Sequence, residues 1–198
     1  MTILRLCTLI IVAGFTMLVP RVLLGQQSKP TFSKLTIQPA QPNGFTPIEN
    51  HATEEQIRKY FELSGELNLQ RQRWIVALDK NRSLGAPYWP ESFWTDLKVE
   101  MLKFDLAPGY IGLYQHYISK ETIQSVIDAY RSLGPENFPG SPACIKWSEL
   151  RRGMEDDANK LNFSNLMQIN DAVYARYKAQ IAAARVKYKA EHPDWVDK

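Results

Sequence analysis

The sequence predicts an all-α protein. The expected form is a small bundle of about five to seven helices with a long C-terminal helix, preceded by a signal peptide and a flexible linker. Three observations carry this. From about residue 53 onward, apolar residues recur every three to four positions. No stretch alternates apolar and polar residues between turn signals, as strands would. Gly, Pro and Ser punctuate the chain at the spacing of short helices.

The first 25 residues stand apart. A short basic start with Arg5 leads into the apolar run "LCTLIIVAGFTMLVP", interrupted at Arg21. That run has signal-peptide length and is short for a span of about 20 residues. Gly25 is a small residue suited to precede a cut, so cleavage is expected near it. Cys7 lies before the apolar run, not at its end, so a lipoprotein reading is rejected. Residues 26–51 are rich in Pro, Ser, Thr, Asn and Gln without sustained periodicity, and are expected to be a disordered spacer.

The helices follow in order. Thr53 with Gln56 three residues later fits a capping box, and Glu54 and Glu55 suit the positive end of the helix dipole. Ile57, Tyr60, Phe61 and Leu63 form the first stripe, and Gly65 ends it. "ELNLQRQRWIVALDKNR" brings Leu67, Trp74, Ile75, Leu78 and then Leu84 to one side. "SLGAPYWPES" breaks the pattern. "ESFWTDLKVEMLKF" repeats Phe93, Leu97, Met101 and Phe104. "LAPGYIGLYQHY" reads as a short fourth helix. "SKETIQSVIDAYRSL" is the fifth, with Ser119 as its cap, a left-handed Gly134 at its end and Pro135 blocking continuation.

Ser141 and Pro142 then start the longest helical stretch, from about Cys144 to about Glu191. Its apolar stripe is expected through Phe163, Leu166, Met167, Asn170, Val173, Tyr174, Tyr177, Ile181, Ala184 and Tyr188. Gly153 or "NKLNFSN" is where it would kink or split. Residues 52–192 thus make one helical domain, and 193–198 a tail after Pro193.

Composition excludes several classes. Hydrophobic residues make up 44% and charged residues 23%, which supports a core and rules against global disorder. Without residues 1–25 the chain carries 22 basic against 21 acidic residues, a net charge of +1. That balance leaves no footprint for nucleic acid. Cys144 is then the one cysteine remaining, so no intramolecular disulfide is expected.

Candidate chemistry is sparse. His51, His116 and His192 are scattered, without the close pairs of a metal site, so no metal and no cofactor are expected. Cys144 in "SPACIKW" has no catalytic signature and reads as a structural thiol. Glu155, Asp156 and Asp157 are adjacent, so on a helix they diverge instead of converging on one substrate. Tyr174, Tyr177 and Tyr188 interleave with Arg176, Lys178, Arg185, Lys187 and Lys189. That pattern suits an anionic partner, although tyrosines at helical spacing more often face a core. "NRS" at Asn81 and "NFS" at Asn162 match the glycosylation sequon, a short pattern that also arises by accident.

Two stretches carry a family resemblance. "YFELSGELNLQRQRW" resembles the opening of the DUF2059 family, a short helix ending in Ser-Gly before a second helix. "LYQHYISKETIQSVIDAYRSLG" resembles its core motif through Tyr114, His116, Tyr117, Ser119, Glu121, Ile123, Tyr130, Ser132 and, shifted by one, Gly134. Ala129 stands where Phe is usual, Leu133 where Pro is usual, and Pro135 follows the early Gly. The resemblance spans about residues 53–180. It implies an exported, periplasmic, all-helical bacterial protein, and it passes on no catalytic residues.

The expected function is therefore a non-enzymatic interaction module of the cell envelope, binding another envelope protein or itself. The expected surface is Tyr174, Tyr177, Ile181 and Tyr188, with Trp89, Trp94 and Trp147 as further interface aromatics. Tyr114, His116, Tyr130 and Ser132 are further candidate surface residues, although Tyr130 and Ser132 read first as parts of a helix-ending joint. The alternative is a small apolar-ligand carrier lined by Phe93, Trp94, Phe104, Tyr110, Tyr114 and Tyr130. A hydrolase-type enzyme using Cys144, His116 or carboxylates ranks third.

Overall fold

The computed structural model describes residues 45–195. The signal-peptide expectation, residues 26–44 of the spacer and residues 196–198 of the tail lie outside the described residues. Among the described residues there are seven helices: α1 (Glu54–Ser64), α2 (Glu66–Leu84), α3 (Glu91–Lys103), α4 (Ala107–Tyr117), α5 (Lys120–Asn137), α6 (Pro142–Gly153) and α7 (Glu155–Glu191). There is no strand among them, only an isolated antiparallel bridge between His51 and Ser119. The all-α bundle with a long C-terminal helix is the observed fold. No helix among the described residues is long and apolar enough to cross a membrane.

The local signals act as polar chemistry requires. Thr53 Oγ1 accepts the Gln56 amide at 3.2 Å, and the Gln56 side chain accepts the Thr53 amide at 3.1 Å. Two donors left over at the helix start are thereby satisfied. Ser119 caps α5 through the Thr122 amide, and Ser141 caps α6 through the Cys144 amide. Gly65 has φ 64° and serves as both the end of α1 and the start of α2. A side chain there would meet the left-handed penalty.

Neighbours in the bundle are distant in sequence. α1 packs chiefly on α5, and α3 on α7, with α2 against α3 and α4 against α1. The core runs continuously through these contacts, from Ile57 and Tyr60 to Leu97, Leu113, Ile123, Ile169 and Val173. α4 is the most enclosed helix. Gly109 explains part of this, because a Cβ there would lie 3.0 Å from Leu161 Cδ1 of α7.

Four details refine or depart from the sequence reading. First, the stretch from Cys144 to Glu191 splits at Gly153, one of the two expected places, into two helices with the buried Met154 at the joint.

Second, the buried row of α7 is Leu161, Asn165, Ile169, Val173 and Ile181, with Tyr177 half-buried between the last two. Steps of four residues advance the row by about 40° each, so it winds around the helix. Phe163, expected on the stripe, is 57% exposed, and in α2 Leu84 is 74% exposed.

Third, Gly134 has φ 74° but ψ 164°. It is a left-handed but extended kink, not a helical cap. The first helical run ends there as expected, and Pro135 opens a further turn to Asn137.

Fourth, the spacer does not extend to residue 51. Residues 45–51 lie along the end of α4 and the start of α5. Ile48 donates its amide to Gln115 O at 3.1 Å, and Lys120 donates its amide to Asn50 O at 3.0 Å. The tail is likewise engaged. Trp195 packs edge-on against Tyr88 and Tyr188 at 5.5 Å.

Candidate functional site

Among the described residues, a concentrated polar group in the interior gathers around Glu66. Glu66 opens α2 and is only 9% exposed. Its position directly after the Gly65 turn aims the carboxylate inward, where the α2 dipole also favours negative charge. Glu66 Oε2 accepts the Tyr60 hydroxyl of α1 at 2.8 Å, and Oε1 accepts the Tyr114 hydroxyl of α4 at 2.8 Å. Arg151 of α6 donates to Oε1 at 3.1 Å. Trp147, one turn earlier on α6, donates its indole N–H to the Tyr60 hydroxyl at 3.0 Å. Five side chains from four helices thus satisfy one another.

The rings enclose this group. Trp147 meets Tyr60 edge-on with centroids 5.1 Å apart, and Phe61 meets Tyr114 edge-on at 5.2 Å. Burial pushes the Tyr60 and Tyr114 hydroxyls well above the ordinary tyrosine value, and the nearby Glu66 charge adds to the rise. Both phenols therefore stay protonated and donate. Tyr110, raised by the same two causes, pairs with the Asn162 amide of α7 at 2.9 Å. Only Arg151 reaches the surface, with its side chain 42% exposed. Chemically the set is a closed donor and acceptor circuit: its acceptors are occupied by protein groups, and Tyr60 and Tyr114 are 1% exposed.

The seven residues expected to form binding surfaces occupy separate places. Tyr114 belongs to the buried circuit. His116 sets its Nδ1 2.6 Å from the Thr46 carbonyl oxygen, under the segment 45–51. Tyr130 stacks on Phe138 at 3.7 Å, and Ser132 is exposed beyond it. Tyr174 lies 6.1 Å from the Trp89 ring. Tyr177 donates its hydroxyl to Asp96 of α3 at 2.9 Å. Tyr188 stacks on His192 at 4.1 Å. Tyr174, Tyr177 and Tyr188 are half-buried, Ile181 is buried, and so are Trp94 and Trp147.

The other candidates are also placed. Cys144 is buried and is not in a disulfide. Asp157 accepts from Tyr117 and from Lys160, each at 2.8 Å, and the Lys160 ammonium holds its carboxyl below the usual range. No group of three or more His, Cys, Asp or Glu among the described residues is arranged to hold a metal ion. Of the six residues proposed to line an apolar pocket, five are buried in the core, and Tyr130 is partly buried against it. A marked surface depression lies elsewhere, an open groove lined by Glu54, Glu55, Arg58, Lys59, Glu62 and Arg131.

Sequence reasoning missed Glu66 and Arg151. An acidic residue in the first turn of a helix is common for dipole reasons alone, so Glu66 carried no distinct signal. Tyr60 was on the expected apolar stripe, and Trp147 was read as an interface aromatic. Their polar tips were the available clue, since a buried Tyr or Trp needs a partner.

Comparisons with protein-family models, with curated proteins and with solved structures found no match.

Proposed function

We propose that this chain is a non-enzymatic, exported interaction module of the cell envelope, working through the outer side of the second half of α7. The carrying observation is charge segregation along that helix. Residues 172–191 hold five basic side chains, Arg176, Lys178, Arg185, Lys187 and Lys189, and one acidic, Glu191; Arg176 pairs with Glu100 of α3 and Lys187 with Glu191. Residues 155–171 hold four acidic side chains and one basic. Ala179, Ala183 and Val186 are exposed among the basic residues, on the side opposite the buried Ile181.

Such a surface suits an acidic partner. Two copies meeting through this same half would oppose like charges, which favours a different envelope protein over self-association there. The closed circuit around Glu66 and the engaged tyrosines support a surface role over an interior one. Export rests on the signal-peptide pattern of residues 1–25, and the DUF2059 resemblance points the same way.

The test is photocrosslinking in the cell from position 186, followed by mass spectrometry of the captured species. A defined acidic envelope protein, lost when Lys178, Arg185 and Lys187 are changed to Glu, is the expected result. Recovery of the uncrosslinked monomer alone, or of cytoplasmic proteins alone, would sink the reading.

A further inference from the structure

The segment 45–51 is held in a way unlike the rest of the molecule. Residues 46–50 are all exposed, and Phe45 is half-buried. Its attachment is polar. The Ile48 amide bonds Gln115 O, the Asn50 carbonyl accepts the Lys120 amide, and the Ala52 amide bonds Ile118 O at 2.8 Å. Asn50 Nδ2 donates to both carboxylate oxygens of Glu121, at 2.8 and 2.7 Å. Phe45 adds a ring contact to His116 at 5.8 Å.

The receiving groups are helix-end groups. Gln115 and Ile118 O lie at the end of α4, and the Lys120 amide lies in the first turn of α5. Helix ends leave such groups without partners inside their own helix. They accept any extended backbone that presents an amide and a carbonyl in the right register, the logic of strand addition. Glu121 reads an amide or basic side chain near the C-terminal end of the segment, and His116 reads an aromatic five positions earlier.

We propose that residues 45–51 are a clasp that opens independently of the bundle, and that the helix-end groups beneath it take an extended peptide of the same pattern. Solvent-facing hydrogen bonds with little apolar burial open locally at far lower cost than a packed helix. While attached, the clasp competes at the high effective concentration of a short tether, so an outside peptide enters only when the clasp is weakened. This inference rests on the clasp geometry and not on the envelope reading.

The experiment uses the full chain and two readouts. Amide exchange is followed at Ile48 and Lys120, with Val173 in α7 as the core reference. A fluorescent synthetic peptide of residues 45–52 is titrated into the wild type and into the double variant Phe45→Ala, Asn50→Ala. Asn50→Ala alone serves if the double variant loses helical signal. The Ile48 and Lys120 amides are expected to exchange roughly 100-fold faster than Val173. The variant is expected to bind the peptide roughly 10-fold more tightly than the wild type. Exchange of the clasp amides in step with Val173 overturns the proposal. So does a folded variant that binds the peptide no better than the wild type.

Discussion

Trp147 donates its indole N–H to the Tyr60 hydroxyl at 3.0 Å, and that hydroxyl donates onward to Glu66 at 2.8 Å. The pair links α6 to α1 across 87 residues of chain, and Glu66 extends the link to α4. The circuit therefore does for the bundle's polar interior what apolar packing does elsewhere. It fixes which helices meet and in what rotation.

Removing the acceptor should cost more than reshaping it. Glu66→Ala leaves the Tyr60 and Tyr114 hydroxyls buried without their acceptor, and is expected to destabilise by about 2–4 kcal/mol. The charge of Arg151 adds less, because its half-exposed side chain can turn to water. Glu66→Gln keeps one oxygen acceptor and should cost about half as much. Urea unfolding of both variants checks the order.

The raised tyrosine values imply alkaline sensitivity. In the unfolded chain Tyr60, Tyr110 and Tyr114 ionise near the ordinary value of about 10. In the folded chain burial holds them protonated above it. Their linked stability is fully present below pH of about 10 and is lost as pH rises beyond it, since the unfolded state then releases protons that the folded state keeps. Melting temperature should be flat from pH 7 to 9 and fall steeply above 10. The fall should be shallower in Tyr114→Phe.

The winding of the α7 row gives a paired prediction. Ile169→Ala, at a fully buried site, should cost about 2–5 kcal/mol. Phe163→Ala, at an exposed site, should stay within about 0.5 kcal/mol. Equal costs in thermal unfolding would restore the stripe expected from the sequence.

Gly134 offers a backbone test. With φ 74° and ψ 164° it occupies a region nearly closed to other residues, although nothing lies within 4 Å of a Cβ built there. Gly134→Ala is therefore expected to cost about 1–3 kcal/mol by strain alone. A neutral result in chemical denaturation would mean that the kink relaxes.

Much of the fold was legible because its signals are local. Thr53, Ser119 and Ser141 each announce a helix start through a hydroxyl that reaches an amide within three residues. Gly65 and Pro142 mark their breaks in the same short range. The fourfold drift in α7 was not legible, because the buried side of a long helix is set by where α3 and α4 lie. The split at Met154 was anticipated only as a weak point at Gly153, since the burial that fixes it comes from distant helices. The candidate site was the least legible part. Glu66, Tyr60, Tyr114, Trp147 and Arg151 have no sequence spacing in common. Only the packing of α1 on α4 and α6 brings them to one point. The docked residues 45–51 escaped notice for a related reason. Their composition reads as spacer, and their partners are helix ends some 70 residues away.

The pairing of α1 with α5, and of α3 with α7, bears on when the chain becomes a protein. Helices α1 and α3 each find their main neighbour only after at least 50 further residues have been made. Such long-range closure is slow, because loop entropy is lost before contacts compensate. A chain still lacking α7 is without the main packing partner of α3, and one lacking α5 is without that of α1. Formation of these two pairs is thus deferred until α5 and α7 have been made. A nascent chain of this design carries its first and third helices without their main partners for much of its synthesis.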